Sequence, residues 1–109
     1  MVAKVKNNAV STIANALTST ATTLTVGSGT GDFFPVLGSG DYFYATLTST
    51  TNGAEIVKVT ARTGDTFTVE RAQENTLAIP FPANSRIEQR ITAQTITDLL
   101  TPQGDYLLL

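Results

Sequence analysis

A mainly β fold, either a compact β-barrel or a β-sandwich with an N-terminal arm and a short C-terminal helix or tail, is expected from these 109 residues. Three features point to it. Apolar and polar residues alternate with a period of two over several runs, the pattern of a half-buried strand. About twenty β-branched threonines occupy polar positions that charged residues usually fill. Glycine, Asn-Gly and Gly-Asp steps separate the runs where hairpins would turn.

The length suits a single β-rich domain, since a second core would lack apolar material. It divides into an N-terminal arm over 1–16, a β core over 17–91 and a C-terminal helix or tail over 92–109. Residues 9–21 are mixed. Val10, Ile13 and Leu17 offer a helical stripe, but Ser11, Thr12 and Thr18 favour extended backbone, so a strand or irregular arm is preferred. Residues 22–26 alternate as a strand and stop at Gly27-Ser-Gly-Thr-Gly-Asp32, a glycine-permitted loop. Residues 33–37 are apolar but hold Pro35, which cannot donate to a ladder, and suit a buried loop anchor.

The run 41–48 puts Phe43, Ala45 and Leu47 on one face and Tyr42, Tyr44 and Thr46 on the other, and Thr51-Asn-Gly53 turns it. Residues 55–62 and 66–71 flank Thr63-Gly-Asp65 as the clearest hairpin. Val57, Val59 and Ala61 would meet Phe67 and Val69 across it, with Lys58, Arg62 and Glu70 in water. Two prolines hold 77–82 extended, and 86–92 alternates as another strand. Thr92 or Thr95 can cap a short helix bearing Ile96, Leu99 and Leu100, which Pro102 and Gly104 would end before an apolar terminus, Leu107 to Leu109.

The chemistry is bounded by what is missing. Without histidine there is no Ser-His-Asp triad and no imidazole ligand, and without cysteine no disulfide, thiolate site or Cys nucleophile. A net charge of −2, with Arg62, Arg71, Arg86 and Arg90 interleaved among acids, reads as solvated faces and not as a phosphate-binding patch. Acid pairs such as Asp32 with Asp41 or Glu70 with Glu74 read as turn caps and surface acids. The glycine loop lacks the G-K-[ST] ending of a phosphate loop. No signal-peptide core and no apolar run of membrane-spanning length occurs, so a soluble chain is expected. Catalysis, a cofactor and a bound metal are not expected.

Residues 40–47 (Gly-Asp-Tyr-Phe-Tyr-Ala-Thr-Leu), 55–62 (Glu-Ile-Val-Lys-Val-Thr-Ala-Arg), 64–69, 71–76 (Arg-Ala-Gln-Glu-Asn-Thr) and 81–91 together carry a likeness. Over residues 17–91, about two thirds of the chain, the sequence resembles a β-rich module of tailed-bacteriophage virion proteins of the tail, neck and fibre-attachment region. The resemblance implies an adaptor or collar subunit that anchors fibres or other appendages. Its partners would be other virion structural proteins and further copies of itself in a homo-oligomer, with no nucleic acid and no membrane. Its place would be the virion, assembled in the host cytoplasm. The chain stops soon after the module, which suits a separate adaptor, collar or decoration subunit better than a whole fibre. A capsid decoration protein is the neighbouring alternative, and a carbohydrate-binding module using Tyr42, Tyr44 and the glycine loop is one from another class. Subunit contacts are expected from the arm and tail and from the aromatic strand: Val5, Val10, Ile13, Tyr42, Tyr44, Leu99, Leu100, Tyr106, Leu107, Leu108 and Leu109.

Overall fold

The computed structural model describes residues 2–100. Alternating runs become strands β1 (Val10–Thr12), β2 (Thr23–Thr25), β3 (Phe43–Ser49), β4 (Gly53–Thr63), β5 (Thr66–Gln73) and β6 (Arg86–Glu88), followed by helix α1 (Ala93–Leu100). The strands form one antiparallel sheet in the order β1-β6-β3-β4-β5-β2. The sheet curls into a half-barrel, and the mainly β fold is as expected. Its two edges meet just past β1 and β2. There Ile13 bridges Val26, the Ala14 amide donates to the Thr25 carbonyl (2.8 Å), and the Gly27 amide donates to the Thr12 carbonyl (3.0 Å). The edge strands thereby satisfy each other's backbone groups at that end.

The inward residues are those that the period-two pattern selects: Phe43, Ala45 and Leu47 of β3, Val57 and Val59 of β4, Phe67 and Val69 of β5, and Ile87 of β6. Phe34, from the loop anchor, enters this space and meets Phe67 edge-on with centroids 5.0 Å apart and Phe43 at 5.7 Å. Such pairs add to plain burial because ring edges and faces carry opposite partial charge. The anchor is only half inside, however: Phe34 and Pro35 are buried while Phe33 and Val36 are exposed.

Residues 2–16, read as an arm, are woven into the sheet. Tyr42 donates its amide to the Val2 carbonyl and accepts the Lys4 amide at its own carbonyl, while β1 pairs with β6. Ala9, Ile13 and Leu17, four residues apart, all enter the core, which supplies the force that draws the segment in. On the hairpin, Val59 pairs with Val69 as expected, but a bulge follows and sets Ala61 opposite Thr68. A bulge reverses the side-chain alternation beyond it, so Ala61 is exposed and Arg62 turns inward. The Arg62 side chain is 9% exposed and donates to the carbonyls of Pro35 and Gly64.

Candidate functional site

Helix α1 lies against Tyr42 and Tyr44 at the start of β3, and this junction is built from polar groups. Tyr44 on β3 and Tyr42, just before it, lie two residues apart in extended backbone and so project to the same side, with centroids 5.7 Å apart. Lys58, paired with Tyr44 across the sheet, lays its ammonium 4.4 Å from the Tyr42 ring centre. Thr92 opens the helix: its hydroxyl accepts the Thr95 amide (3.1 Å) and its carbonyl accepts the Ile96 amide. Of the two threonines proposed as the cap, Thr92 is therefore the one that acts.

From that start, Gln94 and Asp98 fall on one helical face, one turn apart. Asp98 accepts the Tyr42 hydroxyl at 2.6 Å, the Tyr44 hydroxyl at 3.3 Å and the Gln94 side-chain amide at 2.7 Å. Glu74, from the segment after β5, accepts the Gln94 backbone amide at the helix start, where negative charge suits the helix dipole. Its other oxygen is buried with no partner among the described residues. Burial raises the Asp98 pKa, but bonds from Tyr42, Gln94 and Tyr44 and the Lys58 charge outweigh it and hold the carboxyl below its ordinary value. Burial and then the Asp98 charge push Tyr44 up to about 12. Burial and the bond to Asp98 move Tyr42 further in the same direction. Both hydroxyls therefore stay protonated near neutrality and serve as fixed donors.

This polar attachment has a consequence on the far side of α1. Ile96, Leu99 and Leu100, spaced i, i+3, i+4, face outward at 49%, 38% and 46% exposure, while Thr95 is buried. A surface helix ordinarily does the reverse. Ile91, just before the cap, adds another exposed apolar side chain.

The expected contact residues separate into groups. Leu99 and Leu100 lie on this outward face, and Val5 is exposed in a shallow cleft shared with Ile91 and Gln89. The Gln89 side chain closes that region by accepting the Lys6 amide and donating to the Lys4 carbonyl. Val10 is half-buried on the edge strand β1. Ile13 lies wholly inside the protomer's own core, and Tyr44 is buried beneath α1, so neither side chain is open to a neighbour; both are held by self-packing. Tyr42 is partly covered and its hydroxyl engaged. Tyr106, Leu107, Leu108 and Leu109 lie outside the described residues.

The glycine loop also has an internal partner. Asp65, in the β4–β5 turn, accepts the amides of Gly29 (3.0 Å) and Gly31 (2.9 Å), one on each carboxylate oxygen. The anion that these amides hold is thus the protein's own. A Cβ at Gly31 would collide with the Gly64 carbonyl, so the close approach requires glycine. The aromatic pair and glycine loop of the carbohydrate-binding alternative are each occupied within the fold.

Arg71, read as a solvated charge, is buried with Glu55 instead. Of the acid pairs, Asp32 meets Arg62 and Asp41 meets Lys4, while Glu74 serves α1. Among the described residues no group of three or more Asp, Glu, His or Cys side chains is placed to hold a metal ion, and no helix is long and apolar enough to cross a membrane.

The fold and this face define a β-rich module that displays an uncharged apolar helix surface. Compared with known proteins, the chain matches no family model and no curated protein, so its function is read from its own residues.

Proposed function

We propose that this chain is a structural subunit of a tailed-bacteriophage particle, an adaptor or collar protein of the tail or neck that anchors fibres or other appendages by stoichiometric protein–protein binding, without catalysis. The observation that carries a binding role is the outward apolar side of α1, Ile96, Leu99 and Leu100, over a polar underside tied to the sheet. Exposing apolar side chains while burying polar ones is unfavourable for an isolated domain and becomes favourable when a partner covers them. The likeness of residues 17–91 to virion modules supplies the setting.

Purified virions of the phage that encodes the chain provide the test. Quantitative mass spectrometry should find it at a fixed copy number, and immunogold particles should cluster at the neck or tail. Gold spread over the capsid shell would replace the adaptor with a decoration protein. Absence from the particle would overturn the virion reading.

A further inference from the structure

We infer that Asn52 is a self-modification site: the backbone nitrogen of Gly53 closes on the Asn52 side chain, ammonia leaves, and the turn between β3 and β4 gains an acid, with the Thr51 hydroxyl assisting. The inference concerns a part of the molecule distant from α1 and does not rest on the subunit reading above.

Ring closure needs a backbone nitrogen that can reach the side-chain carbon, and glycine obstructs that approach least because it has no Cβ. Of the six asparagines, Asn52 alone precedes glycine, and both Asn52 and Gly53 are exposed. The Thr51 hydroxyl donates to Asn52 Oδ1 at 2.9 Å. With that proton committed, Ser49 Oγ, 3.2 Å from Thr51 Oγ1, is the donor to Thr51. Linked hydroxyls polarise one another, and here they aim a proton at the oxygen on which negative charge develops during the attack. Asn84 also precedes a small residue, but Ser85 is buried and its amide donates to the Pro82 carbonyl.

The steps balance with water as the co-reactant. Solvent hydroxide takes the Gly53 amide proton as a bond forms from its nitrogen to Asn52 Cγ and charge moves onto Oδ1. The Cγ–Nδ2 bond then breaks, and Nδ2 departs as ammonia with a proton from water, which restores the hydroxide. A further water opens the cyclic imide at either carbonyl, leaving aspartate or isoaspartate.

The product changes how the turn is held. Asn52 Nδ2 donates to the Pro80 carbonyl at 2.7 Å, tying the turn to the proline segment beside a cleft lined by Leu17, Phe81 and Pro82. A carboxylate has no proton to donate and sets its charge against that carbonyl, so the tie is lost. Isoaspartate also adds a methylene to the backbone of the turn.

For the test, the full chain is held folded in mildly alkaline buffer and sampled over time by peptide mapping with mass spectrometry, which reads the amide-to-acid mass gain at each asparagine. Asn52 should convert first, well ahead of Asn84, and faster as pH rises. Thr51→Val should slow the conversion about fivefold, the rate equivalent of one neutral hydrogen bond, whereas Thr51→Ser should keep the parent rate. Circular dichroism checks that each variant is folded. Asn52→Asp, fixed in a product state, should melt at a lower temperature than the parent, and an unchanged midpoint would refute the role of the Pro80 tie. Conversion of another asparagine ahead of Asn52 would sink the site itself, and equal rates for Thr51→Val and the parent would remove Thr51 from it.

Discussion

The carboxylate of Glu55 and the guanidinium of Arg71 meet in a two-pronged ion pair, Nε to Oε2 and Nη2 to Oε1, each at 2.8 Å. Glu55 is wholly buried and also accepts the amides of Ala72 and Ile79; Arg71 also donates to the carbonyls of Thr18, Ala21 and Ile79. One pair therefore joins β4, β5, the loop before β2 and the proline segment before β6. Burial pushes the Glu55 pKa up, yet the bonds from Arg71, Ala72 and Ile79 outweigh it and leave the carboxyl below its ordinary value.

Removing one partner would strand the other's charge in the interior. Glu55→Ala and Arg71→Ala should each lower unfolding free energy by about 3–5 kcal/mol in urea titrations. Arg71→Lys should recover little, because an ammonium cannot reproduce the fork. Glu55→Met with Arg71→Met should cost less than the sum of the single changes; strict additivity would show that the two side chains act independently.

Acid should loosen the fold from a defined side. Backbone donation from Gly29 and Gly31 lowers the Asp65 pKa. For Glu55, Glu88 and Asp98, burial raises the pKa and partner bonds more than reverse it. A carboxyl with a depressed folded pKa stabilises the fold above its unfolded value and loses that contribution as pH falls through the folded one. Thermal midpoints should therefore hold above the ordinary values of 3.8 for Asp and 4.5 for Glu and fall below them. Asp65→Asn should lower the midpoint at neutral pH and flatten the acid limb. Gly31→Ala should destabilise by about 1–3 kcal/mol through the clash with Gly64, a loss measurable by urea titration.

Attachment of α1 should be separable from the rest of the fold. Asp98→Ala removes the acceptor for Tyr42, Tyr44 and Gln94, so amides of residues 96–100 should exchange with deuterium nearly as fast as unprotected ones while β4 and β5 keep their protection. Equal loss of protection in β4 would mean that α1 and the sheet unfold as one unit. At the alkaline end the sign is opposite: raised tyrosine pKa values stabilise below the ordinary value of 10.0 and lose that contribution as pH climbs through the folded ones. Ultraviolet titration should show Tyr42 and Tyr44 ionising late, Tyr44 at about 12, with Asp98→Ala shifting both down.

Local pattern was enough to define β3, β4 and β5, the Gly-Asp hairpin and the capped helix, because a two-residue or 3.6-residue period directly reports which side of an element is buried. The sequence also showed which residue types were absent. It did not reveal what each polar side chain would meet, since that depends on segments distant along the chain. Arg71 and Glu55 are 16 residues apart, Asp65 and Gly31 are 34, and Tyr42 and Asp98 are 56. Periodicity carries no information about such pairs. The Gln94–Asp98 spacing was the available clue to a polar helix face opposite the apolar stripe of Ile96, Leu99 and Leu100, of which Leu99 and Leu100 were expected to meet other subunits. In the fold the stripe faces outward while the underside of α1 meets the Tyr42 and Tyr44 hydroxyls through Asp98 and the Glu74 carboxylate, from the segment after β5, through the Gln94 amide.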